Sequence, residues 1–159
     1  MPARDRTPVV FATDFSAASR SAFRAAVDLA TQGGRPLRVV HAHVPPSPFV
    51  GTTVPVSWVS LERAARRAER RALARTVNGA RRRGARARGE IVEGPAAEAI
   101  VRAARRAGAG VIVIGMRGRT GMRRWLMGSV AGRVLRLARI PVLSLRPRGR
   151  MHRPPPRRA

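Results

Sequence analysis

Val111-Ile-Val-Ile-Gly115-Met-Arg-Gly118-Arg-Thr-Gly-Met-Arg-Arg-Trp-Leu-Met-Gly128-Ser129 is the stretch whose reading decides the fold. A short β-branched run leads into a glycine-rich loop, and a helical pattern opens at Ser129 and continues to Ala138. Strand, loop and helix start, in that order, gather backbone N–H groups around an anion. Gly115 and Gly118 carry no Cβ where the backbone would approach a ligand. Gly128 and Ser129 fall where a helix presents unpaired N–H groups and the positive end of its dipole. Phosphate is the ligand class this implies. The spacing is not that of a P-loop, since the chain has no Lys, and no Gly-x-Gly-x-x-Gly follows the first apolar run. A glycine-tolerant connection in an ordinary α/β domain is the alternative on spacing alone.

Working outward, the apolar runs alternate with helical patterns. Pro8–Ala12 reads as the first strand, and Ser16 as the N-cap of a helix over residues 17–31 that stops at Gly33-Gly34. Leu37–Val44 reads as the second strand, with His41 packed inside it and His43 exposed or packed. The two His share a strand face, but no carboxylate cluster joins them in sequence, which argues against a metal site. Pro45–Pro55 is irregular. Ser60 reads as the cap of a long helix over residues 61–83, with Glu62 and Glu69 on its charged side. Residues 85–93 form the third strand, and Pro95 occupies the first turn of a helix over residues 96–107. Val111–Gly115 is the fourth strand, Ser129–Ala138 the last helix and Pro141–Leu145 the last strand. Alternation of this kind gives a parallel sheet with helices on both faces.

Composition narrows the classes. A chain of 159 residues is long enough for one domain, and with 4% aromatic residues its core must be aliphatic. The absence of Cys excludes disulfides and thiol chemistry. No apolar run reaches membrane-spanning length and the first residues lack a signal pattern, so a cytoplasmic location is expected. All 33 basic residues are Arg against 8 acidic ones, a net charge of +25. That points to nucleic acid or another polyanion as a second class of partner, but one not favoured, since no recognition motif accompanies the charge and Arg in place of every Lys looks like a bias towards GC-rich codons. Residues 147–159 hold little to bury and read as a basic disordered tail beyond a domain of residues 1–146.

The chain resembles the universal stress protein family, in its ATP-binding branch. The family pattern is Gly, two residues, Gly, nine residues, Gly, then Ser or Thr; here it is Gly115, Gly118, Gly128 and Ser129. Thr13-Asp14-Phe15-Ser16, Val40-His41 and the run from Gly128 to Val142 are also similar to the family. The resemblance implies a Rossmann-like α/β fold of the adenine nucleotide alpha hydrolase type, with five parallel strands in the order 3-2-1-4-5. Strand order then reverses between strands one and four, and ligands of open α/β sheets bind at such a reversal.

On that resemblance ATP is the expected ligand, with AMP or cyclic AMP as variants and Mg²⁺ carried on the phosphates. Ala12, Thr13 and Asp14 would lie at the adenosine end, and the backbone of Ala42 at the adenine edge. Gly115, Met116, Arg117, Gly118, Arg119, Gly128, Ser129 and Val130 would surround ribose and phosphates. Arg117 and Arg119 either screen phosphate charge or face water. Neither a Walker Lys nor paired carboxylates for a metal are visible, so the expected role is a nucleotide-responsive regulator. A slow ATPase or autophosphorylating enzyme is the catalytic alternative. Residues 140–145 form an edge strand through which the family pairs into homodimers.

Overall fold

The computed structural model describes residues 7–44, 56–116 and 128–146. Within them the strands are β1 (Val9–Ala12), β2 (Leu37–His43), β3 (Ala87–Glu93), β4 (Val111–Gly115) and β5 (Val142–Leu145). The helices are α1 (Arg20–Gln32), α2 (Val56–Arg81), α3 (Ala96–Arg106) and α4 (Ser129–Leu137), with a short 3₁₀ turn over Ala17–Ser19 before α1. All four strand pairings are parallel and the order is β3-β2-β1-β4-β5, as the family resemblance implies.

β1 lies at the centre, paired to β2 and β4, and all four of its residues are buried. Such a strand must be apolar on both faces, which is why its sequence is an unbroken apolar run. Its alternate side chains serve two cores. Val9 and Phe11 meet Ala22, Ala26 and Val27 of α1 and Val77 of α2 on one face. Val10 and Ala12 meet Ile100 and Ala104 of α3 and Val134 of α4 on the other. The inward stripes of α1 and α3 are mostly Ala at helical spacing, so both helices present small side chains to the sheet. Fully burying each Val, Leu or Ile contributes about 1.5–3 kcal/mol, so aliphatic residues supply most of the favourable term.

Element boundaries differ from the sequence expectation where local capping differs. α2 begins at Val56, five residues before the expected start, so Ser60 lies inside the helix. Nothing in Val56–Ser60 is Gly or Pro, and the helix simply continues through it. Ser16 precedes the 3₁₀ turn, but its hydroxyl makes no capping bond and is buried without a partner among the described residues. Ser19 Oγ donates to the Ser16 carbonyl instead, at 2.8 Å. Pro95 is the N-cap of α3, one position earlier than expected. Gly34, Gly84 and Gly108, each with φ between 60° and 86°, follow the ends of α1, α2 and α3 in the left-handed conformation that glycine adopts without a Cβ clash. The irregular segment 45–55, the loop residues 117–127 and the tail 147–159 lie outside the described residues.

Candidate functional site

The chain leaves the C-terminal ends of β1 and β4 in opposite directions because the next strand lies on opposite sides: β2 beyond β1, β5 beyond β4. The gap between them is a crevice of about 250 Å³. Ala12, Thr13 and Asp14 line it from β1, Gly115 and Met116 from β4, and Gly128, Ser129 and Val130 from the start of α4. Ala42 closes it from β2. All nine of these expected site residues therefore meet in one hollow. Arg117, Gly118 and Arg119 fall outside the described residues.

The turn after β1 is built to aim Asp14. Thr13 Oγ1 accepts from the Phe15 N–H at 3.0 Å, and Asp14 Oδ1 accepts from the Ser16 N–H at 3.0 Å. These two bonds close a tight turn in which Phe15 has φ of 61°, a left-handed conformation costly for a residue with a Cβ. The Phe15 ring packs on His41 with centroids 4.3 Å apart, which holds the turn in place. The outcome is an asymmetric carboxylate: Oδ1 is bonded to the backbone, while Oδ2 is buried with no hydrogen-bond partner among the described residues. Asp14 is also the one acid among the described residues that line the crevice. An unpaired buried carboxylate oxygen carries a desolvation cost that a donor from a ligand would remove.

Two further features supply backbone groups. Val40 accepts from the Thr13 N–H at 3.0 Å, so even-numbered residues of β2 turn their main-chain groups towards β1. Ala42 has the same orientation two residues on, but β1 has ended at Ala12, leaving its N–H and C=O past the end of the ladder. At the other wall Met116 donates its N–H to Leu145 and accepts from the Gly128 N–H at 2.7 Å. That second bond holds Met116 and Gly128 side by side at the crevice rim. Gly128, not Ser129, is the N-cap of α4, and it makes no side-chain capping bond. Ser129 is exposed in the first turn, leaving its hydroxyl outside the capping role.

Residues that sequence reasoning did not assign also line the hollow: Ser19, Ala96 and Ile100 among them. Ala96 and Ile100 come from the first turns of α3, which begins at the C-terminal edge of the sheet. Gly94-Pro95 marked that helix start, and the signal stopped there because no polar residue accompanied it. His41 lines the crevice as well, buried as expected, with Nδ1 2.8 Å from the Thr13 carbonyl. A carbonyl only accepts, so Nδ1 carries the proton.

The expectation that no carboxylates join the two His is overturned. His43 is buried, with Nδ1 2.9 Å from Glu69 Oε2 and Nε2 2.9 Å from Glu62 Oε1. His41 Nε2 lies 3.5 Å from Glu69 Oε1. Glu62 and Glu69 are two helical turns apart, on one side of α2, and that side faces β2 rather than water. Arg66 bridges Glu62 at 2.8 Å and Glu93 at 2.7 Å. Its guanidinium holds both carboxyls below the ordinary carboxylate value, opposed by burial, and both in turn raise Arg66. This network clamps α2 onto β2 next to the wall of the crevice that Ala42 forms.

The family model described as Universal stress protein family matches residues 6–146. A universal stress protein of Methanocaldococcus jannaschii is 34% identical over 135 residues, covering 85% of this chain and 79% of the relative. A solved universal stress family protein from Burkholderia pseudomallei has a TM-score of 0.70 at 31% identity, over 91% of this chain and 99% of the other. The Archaeoglobus fulgidus universal stress protein in complex with dAMP has a TM-score of 0.59 at 27% identity, over 87% and 96% of the two chains. Fold, glycine spacing and these similarities agree, and the chain belongs to the universal stress protein family.

Proposed function

We propose that the β1/β4 crevice binds an adenine nucleotide, with ATP as the principal ligand, and that the protein acts as a nucleotide-responsive stress regulator. One observation carries the reading: a carboxylate oxygen, Asp14 Oδ2, is buried in the crevice and lacks a donor. A ribose hydroxyl is a donor of the right kind. The Ala42 main chain past the end of β1 suits the edge of a purine, and the N-terminus of α4 suits phosphate. The dAMP complex of the Archaeoglobus relative supports the same ligand class. The described walls enclose about 250 Å³, just below the usual range of ligand pockets, and Arg117, Gly118 and Arg119, next in sequence after Met116, are the residues this reading assigns to the phosphates.

Asp14 is the sole carboxylate on the described walls, so Mg²⁺ would travel with the phosphates. The wall also lacks a described general base beside the phosphate end, which favours sensing over rapid hydrolysis. In this reading residues 1–146 are the sensing domain, residues 147–159 a basic tail, and β5 the edge that pairs with a second copy. Leu143, on that edge, is 37% exposed.

The decisive measurement is mass spectrometry of small molecules released by heat from gently purified protein, followed by calorimetry with ATP, AMP and cyclic AMP. Near-stoichiometric adenine nucleotide, or tight binding of ATP, is expected. An empty protein together with flat titrations at low salt would refute the proposal. Sustained phosphate release that is lost on Gly118→Val would shift the reading to a hydrolase.

A further inference from the structure

On the opposite face of the sheet from α3 and α4 runs a second hollow, a groove of about 530 Å³ between α1 and α2. Its rims carry four arginines, Arg20 and Arg24 from α1, Arg75 from α2 and Arg83 from the turn just after α2, and no Asp or Glu is among its described lining residues. Its floor includes Phe11, Phe15 and Phe23. In sequence these residues are scattered between positions 11 and 83, so no local motif announces them. The fold gathers cations and aromatic rings in one trough.

The charge here is unneutralised. Among the described residues no hydrogen bond or ion pair engages the guanidinium groups of Arg20, Arg24 or Arg75. Arg83 lies over the Phe23 ring, 5.3 Å from its centroid, and donates to the Gly79 carbonyl. The acids of α2 do not offset them: Glu62 and Glu69 are turned inward to His43, His41 and Arg66. The outer side of α2 therefore continues the positive surface through exposed Arg63, Arg67, Arg70 and Arg71. Four like charges held together without counter-charges are unfavourable unless an anion joins them. Phe15 and Phe23 are partly exposed within the groove, and Arg83 on Phe23 already shows one cation stacked on a ring.

We infer that this groove binds single-stranded nucleic acid, with phosphates on the arginine rims and bases against the phenylalanine floor. A positive trough with π-faces along it is the chemistry by which single strands are held without sequence readout. The inference is independent of the nucleotide crevice. Thr13 and Ser19 line both hollows, but the arginines belong to the groove alone.

The test is fluorescence anisotropy of a labelled oligothymidylate of about a dozen nucleotides, titrated with the full chain between about 50 and 200 mM salt. Two triple variants remove equal charge. Arg20→Gln/Arg24→Gln/Arg75→Gln strips the groove; Arg105→Gln/Arg136→Gln/Arg139→Gln strips exposed arginines of the α3 and α4 side. Three fewer phosphate contacts reduce the log–log salt slope by about two and weaken binding roughly 50-fold near 0.15 M salt. The second triple should change affinity less than about threefold, because screened charges remote from the strand contribute little. Tight binding by the parent, loss in the first triple alone, and no competition from saturating AMP would uphold the inference. It is overturned if the parent does not bind, if both triples lose affinity equally, if AMP displaces the strand, or if inorganic polyphosphate of equal charge binds as tightly.

Discussion

Asp14→Asn separates the binding role of this residue from its structural one. The amide oxygen can still accept from the Ser16 N–H, a bond of 3.0 Å in the parent, so the turn after β1 is kept. What changes is the atom at the position of Oδ2, where an unpartnered acceptor becomes a donor. A hydrogen bond to a charged acceptor contributes about 1.5–3 kcal/mol. Losing it corresponds to about a 10- to 150-fold weaker Kd. Replacing acceptor with donor also opposes a ligand hydroxyl or amine that pointed at Oδ2. Without ligand the variant gives up a buried oxygen that had no partner, so its thermal midpoint should stay within about 3 °C of the parent or rise. Calorimetry with ATP and AMP, paired with thermal unfolding of nucleotide-free protein, reads both quantities. Binding within about twofold of the parent would refute the role given to Oδ2, since that is under half of the smallest loss expected. A large fall in stability without nucleotide would show that the carboxylate belongs to the fold instead.

Acid should weaken the fold through the Arg66 network. Glu62 and Glu93 lie below the ordinary value of 4.5, chiefly because Arg66 binds both. Folded values below unfolded ones give stability that is present above 4.5 and lost as pH falls through the folded values, so Arg66→Gln should flatten the acid limb of a thermal-midpoint profile; an unchanged limb would contradict this. Gly89→Ala should destabilise by about 1–3 kcal/mol in urea unfolding, since the added Cβ would meet Leu73 Cγ and Val77 Cγ2 at 2.8 Å. Equal midpoints would show that α2 yields to it. Leu143→Asp, on the exposed β5 edge, should convert dimers to monomers in sedimentation velocity; a monomeric parent at the same concentration would remove the dimer proposal.

The sheet was legible because its central strands are unbroken apolar runs, and β4 matches its expected limits, Val111–Gly115. The crevice was legible through Gly115, Gly128 and Asp14, since strand ends and helix starts leave local marks. Capping was read less well. Ser16 has the right residue type, yet its hydroxyl makes no capping bond, and the turn after β1 is closed by Thr13 and Asp14 side chains. A cap is decided by backbone dihedrals that residue type only biases. The His43 network was missed because Glu62 and Glu69 lie 19 and 26 residues from it. A signal did exist: two acids seven positions apart on a helix share a side, and two His two positions apart share a strand face. Matching those sides needs the β2–α2 packing, which is tertiary. The arginine–phenylalanine groove was illegible for the same reason.

The bond from Gly128 to Met116 has an evolutionary corollary. Because it holds Met116 and Gly128 next to each other, the scaffold presents a closed socket to whatever chain joins them. Doubling the length of such a segment costs only about 0.6 kcal/mol of closure entropy, and none of the sheet need move. Descendants of this protein could therefore exchange or lengthen residues 117–127 while inheriting the scaffold unchanged.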